Sequence, residues 1–301
     1  MKKIYCLLFL ICILFTGCQN KSTVNTKSDK ISVVATVFPA YDFAKAVYGK
    51  NADVEFLIPP GTDSHSYEPS PKDIIKIQNC DLLISNGGTS DLWIDTILNS
   101  MDNKPKTLKM MEYSQPIEHS DHEHNHSHDE HIWLNIKNAV AVIHAICNEA
   151  VLNDADNKEY YISNAKAYSK KLNELDEMFK NLSDNAQNKT LVFADRFPAI
   201  YFTEGYGFEY LSAFDGCADK AEPGSAKIAE LIKNVQANNI NTVFYIEFSN
   251  QKVANSVCEA TGATKKLFHS CHSVSADDLK SGVTYYSLMQ ANYNTLLEVL
   301  N

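Results

Sequence analysis

Apolar and polar positions follow two rhythms along this chain, and from residue 31 onward the rhythms take turns. Short runs rich in β-branched residues at 31–37, 53–58, 81–85 and 107–111 have the length and composition of strands. Between them, residues 41–48, 71–78 and 92–101 carry apolar side chains at helical spacing, and a further helix is predicted from about 135 to 151. Such alternation predicts a mainly parallel sheet with helices packed on it. From 158 to about 186 the pattern lengthens. Tyr161, Ala165, Tyr168, Leu172, Leu175, Phe179 and Leu182 recur at helical spacing, without Pro or Gly, and polar residues fill most other positions. A helix of that length exceeds the globular average and is expected to act as a rigid connector. Alternation then resumes, with strands predicted at 190–194, 208–213, 242–248 and 264–268 and helices at 225–237, 251–260 and 284–300. The expected fold class is α/β: lobes over 31–155 and 188–301, each with a mainly parallel sheet, joined by one long rigid helix over 156–187.

The first 30 residues break this scheme. Lys2 and Lys3 precede an apolar run from Ile4 to Phe15, shorter than the roughly 20 residues a membrane span needs, and small residues lead into Cys18. That is the layout of an export leader over 1–17. Leu14-Phe15-Thr16-Gly17-Cys18 resembles a bacterial lipobox, which implies a lipid on Cys18, with 18–30 as a polar, flexible tether. The expected place is outside the cytoplasm, tied to the cell membrane.

Charge narrows the classes further. The formal net charge is −10, and loss of a leader carrying two lysines and no acid makes it more negative. This excludes a nucleic-acid binder, which needs basic patches, and suits a handler of cations. Of the eight cysteines, Cys6 and Cys12 belong to the leader and Cys18 to the lipid. Cys80, Cys147, Cys217, Cys258 and Cys271 remain. They form no C-x-x-C pair, and their odd number leaves at least one thiol free.

Candidate chemistry concentrates at 118–131, where histidine stands at 119, 122, 124, 126, 128 and 131 among aspartates and glutamates. A His-rich tract reads as metal binding. The match of 122–126 to H-E-x-x-H is discounted, because no apolar residue lies between Ser120 and His131 to make a buried helix face. The repetitive histidines His119, His122, His124, His126 and His128 are expected to gather metal loosely. In open α/β sheets, ligands bind beyond the carboxyl ends of the strands. His65 and His131 stand past strand ends of the first lobe, and Asp195 and His269 past strand ends of the second. His144 lies on an apolar helix pattern and reads as packed, His272 as a residue behind the ligands, and Trp93 and Trp133 as core.

These residues carry a resemblance over nearly the whole mature chain. The segments are Pro60-Gly61-x-x-x-His65-x-Tyr67-Glu68-Pro69-Ser70, Glu130-His131-Ile132-Trp133-Leu134, Glu222-Pro223-Gly224-Ser225, Val243-Phe244-Tyr245-Ile246-Glu247 and Tyr285-Tyr286-x-Leu288-Met289-x-x-Asn292. With them the chain resembles the zinc/manganese-type solute-binding lipoproteins of ABC transporters. The resemblance implies two α/β lobes bridged by a long helix, with metal held in the cleft between them. It puts the first two ligands on His65 and His131. The third falls on Arg196, which has no lone pair to give, so Asp195 or water takes its place, and the fourth falls on His269. Glu247 receives a structural role in the cleft. Three histidines with an optional oxygen suit Zn2+, with Mn2+ as the alternative. Cys217 and Cys271 flank the second-lobe loops nearest the site; they are the pair expected to form a disulfide, with thiolate ligation as the other option.

The expected function is capture of the ion outside the membrane and delivery to an ABC permease and its ATPase, by a monomer that is not an enzyme. A surface metal buffer or adhesin of the cell-adhesion kind is the first alternative. An extracellular zinc hydrolase is the second; it would need a positioned general base.

Overall fold

A computed structural model describes residues 30–114, 129–214, 216–217 and 223–300. Cys18 and the leader, together with His119, His122, His124, His126 and His128, lie outside the described residues. No helix among the described residues is long and apolar enough to cross a membrane.

Strands β1 (Ile31–Ala35), β2 (Ala52–Phe56), β3 (Leu82–Ser85) and β4 (Lys106–Lys109) form a parallel sheet in the order β2-β1-β3-β4. Strands β5 (Thr190–Phe193), β6 (Glu209–Ser212), β7 (Thr242–Tyr245) and β8 (Thr264–Leu267) repeat that arrangement as β6-β5-β7-β8. Inner strands are covered on both faces and read as unbroken apolar runs, as in Leu82-Leu83-Ile84 and Leu191-Val192-Phe193, all buried. Edge strand β8 carries Lys265 and Lys266 in a half-exposed run instead, and charge on an edge discourages further pairing.

Helices begin and end where side chains and glycine allow. Helix α2 (Pro71–Asn79) follows α1 (Phe38–Tyr48) and opens on a capping box between Ser70 and Asp73, with Pro71 in its first turn. After α3 (Leu92–Asn99) and α4 (Ile136–Asn153) comes the long helix α5 (Lys158–Asn185), 28 residues. The second lobe adds α6 (Ile200–Tyr206), α7 (Ser225–Ala237), α8 (Lys252–Thr261), α9 (Ala276–Ser281) and α10 (Tyr285–Leu300). The short helices α6 and α9 were absent from the periodicity reading, since one or two turns are too few for a period to register.

Helix α5 serves both lobes at once. Near its start Tyr161 meets Tyr48 of α1 at 5.5 Å between ring centroids. Near its end Phe179 meets Phe202 and Tyr206 of α6 at 5.0 and 5.2 Å, and Tyr293 of α10 at 5.6 Å. One apolar core therefore runs through both lobes along this helix, from Val33 to Leu296, with smaller clusters beneath the outer helices. Helix α10 also reaches back to the first lobe. The Tyr285 backbone N–H donates to Asp42 of α1 at 3.1 Å, and the Tyr168 hydroxyl of α5 donates to the same carboxylate. Burial, partly offset by these two donors, pushes the Asp42 carboxyl up to about 6.

Candidate metal centre

Four side chains converge between the lobes: His65, His131, Cys217 and His272. One ligand atom from each lies within 4.8 Å of the other three. Each comes from the connection after an edge strand, His65 after β2, His131 after β4, Cys217 after β6 and His272 after β8. The repeated topology thus points four loops, two per sheet, into one cleft beyond the carboxyl ends of the strands.

Local chain geometry fixes three of them in the same way. The His65 backbone N–H donates to Asp63 at 3.0 Å, the His131 N–H to Asp129 at 2.8 Å, and the His272 N–H to Ser270 Oγ at 3.3 Å. In every case the acceptor side chain stands two residues earlier, closing an Asx- or Ser-type turn that sets the direction of the following side chain. Asp215-Gly216-Cys217 repeats the spacing in sequence.

His131 is the most tightly held. It is 2% exposed, and its Nδ1 pairs with Asp129 at 3.0 Å, leaving Nε2 without a partner. A carboxylate on one ring nitrogen is the usual way to orient an imidazole and raise its basicity toward a metal. The neighbouring Glu130 is clamped by Thr89 Oγ1, by Ser90 Oγ and, at 3.0 Å, by the Ser90 N–H, while its carbonyl accepts from Asn86 Nδ2 at 2.8 Å. A Cβ on Gly88 would lie 2.3 Å from the Glu130 carboxyl carbon, so glycine is required for this clamp to close. Trp133 packs against both His131 and His272, at 5.4 and 5.3 Å between centroids, and its indole N–H donates to the Ser270 carbonyl at 2.8 Å. It walls the site and ties the lobes across it.

Electrostatics separate the three rings. Burial, with His131 beside it, pushes His65 down to about 4. Burial, with His65 and His131 as neighbours, holds His272 well below the ordinary histidine value. Burial opposes the charged form of His131 as well, but Asp129 and Cys217 outweigh it and hold that ring well above the ordinary value. His65 and His272 are therefore neutral near pH 7 and offer lone pairs. Like His131, His65 has a buried Nε2 with no partner, whereas His272 Nε2 meets the Ser64 hydroxyl. Two orphaned imidazole nitrogens in a largely buried cluster of four donors fit a borderline metal ion.

The structure brings His65 and His131 together, and it corrects the second-lobe expectations. His269 stands outside the cluster. Its N–H and C=O are taken by the Asn292 amide at 2.7 and 2.8 Å, and its Nδ1 accepts from the Cys271 N–H at 2.9 Å. The chain then reverses at Cys271, whose φ is +60°, and this turn delivers His272 to the cleft. Asp195 is also turned away, since its carboxylate accepts from the Arg196 N–H at 2.8 Å and the Ile246 N–H at 3.3 Å. Arg196 instead crosses the cleft to Asp63 at 3.0 Å. No disulfide joins Cys217 and Cys271; both thiols are free and buried, and Cys217 belongs to the cluster. His144 lies on α4 and is exposed, not packed as the helix pattern suggested. Two sequence signals favoured Cys217 and His272 over Asp195 and His269: an acceptor two residues upstream, which Asp195 and His269 lack, and, for Cys217, the position of β6 as counterpart of β2.

A model of the family described as zinc-uptake complex component A, periplasmic, matches residues 33–299. The chain belongs to that family. It is 32% identical over 308 residues to the zinc-binding lipoprotein AdcA of Streptococcus pneumoniae, an alignment covering 98% of this chain and 60% of that protein. To the high-affinity zinc uptake system protein ZnuA of Bacillus subtilis it is 31% identical, over 96% of this chain and 94% of that one. The zinc-bound ZnuA-like domain of the same AdcA superposes with a TM-score of 0.77 at 30% identity, over 90% of this chain and 99% of the domain. The metal-dependent lipoprotein YcdH of Bacillus subtilis gives 0.79 at 27% identity, over 90% and 100%. The two-lobe α/β architecture is thus the fold of this family, whose members are solute-binding proteins.

Proposed function

We propose that this protein binds one zinc ion between its lobes, outside the cytoplasm, and hands it to an ABC permease driven by an ATPase. The observation that carries the reading is the meeting of three imidazoles and a thiol within 4.8 Å in a buried cleft. Zinc is the substrate here, and His65, His131, Cys217 and His272 are its ligands. A lipid on Cys18 keeps the protein at the membrane, and the histidines at 119–128 gather metal weakly beside His131.

Catalysis finds no support in the cleft, because the nearest acids are already committed. Glu247 accepts from Ser270 through both its N–H, at 2.8 Å, and its hydroxyl, and Glu130 is held by Thr89 and Ser90. Neither is placed as a general base.

Titration calorimetry of the purified metal-free protein tests the reading. One tight zinc equivalent that survives deletion of 118–128 is expected, with the weaker equivalents lost. The deletion must spare Asp129, which orients His131. Absence of a stoichiometric tight site would overturn the proposal.

A further inference from the structure

Cys217 gives the cleft a sulfur donor, the option that the sequence left open beside a disulfide. It is 5% exposed, unbonded, and grouped with three imidazoles. Among the described residues, the acids around the cleft already have partners. Asp63 binds the His65 N–H and Arg196, and Asp129 binds His131. Asp195 binds the Arg196 and Ile246 N–H groups, and Glu247 binds Ser270. No carboxylate belongs to the four-residue group.

Resting on the zinc-binding reading above, we propose that Cys217 is the specificity-determining ligand: its thiolate makes the cleft select zinc and softer ions and reject manganese. When metal binds, the Sγ–H bond breaks, a metal–Sγ bond forms and the proton leaves to solvent; no electron changes hands. Thiolate favours zinc and softer ions, whereas manganese stands lowest in the affinity series for a shared site and favours carboxylate, carbonyl and water oxygens. Here the four donors supply none of those oxygens. The spacing of the set also admits zinc. Tetrahedral zinc with bonds of about 2.0–2.3 Å sets its ligand atoms roughly 3.3–3.8 Å apart. A contraction of about 1 Å at the widest pair therefore closes this set around zinc. Arg196 places a fixed positive charge at the cleft mouth, facing both Asp63 and Cys217.

Cobalt(II), zinc and manganese(II), each added alone to the purified metal-free protein, test the assignment. Cobalt-loaded wild type is expected to show sulfur-to-metal charge-transfer absorption in the near ultraviolet, together with intense visible bands of a tetrahedral ion. Cys217→Ser and Cys217→Asp should lose the ultraviolet band. Cys217→Asp should also narrow the zinc-over-manganese affinity ratio by about tenfold or more, because it supplies the missing hard oxygen. The cobalt spectrum of the wild type needs no variant, so a misfolded substitution cannot hide the answer. Cobalt bound without a sulfur band, or a metal ratio unchanged in Cys217→Asp, would overturn the role of Cys217 and leave zinc binding itself standing. Failure of wild type to bind any of the three metals would instead overturn the reading on which this inference rests.

Discussion

The two lobes build their halves of the site by the same topology but with different chemistry. In the first lobe both clustered residues are histidines, and each stands two residues after an aspartate that takes its backbone N–H. In the second lobe they are a cysteine and a histidine, and the histidine reaches the cleft only through a left-handed turn at Cys271. The first lobe pre-positions its histidines with hydrogen bonds to carboxylates. The second relies on a neutral serine acceptor and on contacts across the cleft from Ser64 and Trp133. A site assembled this way has one half set by its own loops and another completed by the opposite lobe.

Removing the best-held ligand should produce the largest effect. His131→Ala is expected to weaken zinc binding by about a thousandfold, roughly 4 kcal/mol, measured by competition with a chelator of known affinity. The comparison within the second lobe comes next. His272→Ala should lose about a hundredfold in the same assay. His269→Ala should stay within about threefold and lower the melting temperature instead, since its ring accepts the Cys271 N–H. The reverse pattern would restore His269 as the ligand.

The seam that holds the halves at their working distance titrates. Asp42 has a folded pKa of about 6, above its unfolded value, so between the two the native state keeps a proton that the unfolded chain has lost. Stability from this group is therefore full below the unfolded value and falls as pH rises through 6. Asp42→Asn removes the buried charge, and its Oδ1 can still accept from Tyr168 or Tyr285. Urea unfolding of the metal-free protein at pH 5 and pH 8 should show the variant gaining on wild type by about 1.4 kcal/mol over that interval. A gap that does not change with pH would show that Asp42 carries no proton there.

Smaller effects separate the two kinds of turn. Asp129→Asn should reduce zinc affinity by about tenfold or more, as loss of an orienting carboxylate does. Ser270→Ala removes a neutral acceptor and should cost about threefold or less. Similar losses in both would mean that the lobes hold their donors equally well.

Most of the fold was legible because the apolar pattern of each element agrees with its place in the sheet. The unbroken runs became inner strands, and the stripe from Tyr161 to Leu182 became the buried face of α5. His65 and His131, which the structure brings together, stood out in sequence by their places past strand ends, and an aspartate two residues before each fixes its direction locally. His272 did not, because its position depends on backbone reversal at a non-glycine residue with positive φ, which sequence rarely announces. Cys217 was read as half of a disulfide because cysteine in an exported chain admits both fates, and only distance decides between them. Arg196 stands at the place where the family resemblance puts a ligand. Its actual role, bridging to Asp63, required the second lobe to be placed against the first.

The central claim concerns which four atoms hold the ion, and a crystal structure of the zinc-loaded protein tests it most directly, with anomalous data on both sides of the zinc edge. The account predicts one buried anomalous peak within about 2.0–2.3 Å of His65, His131, Cys217 and His272, with Arg196 still paired to Asp63. A peak bonded to His269 or Asp195, with the Cys217 sulfur out of bonding range, would contradict it.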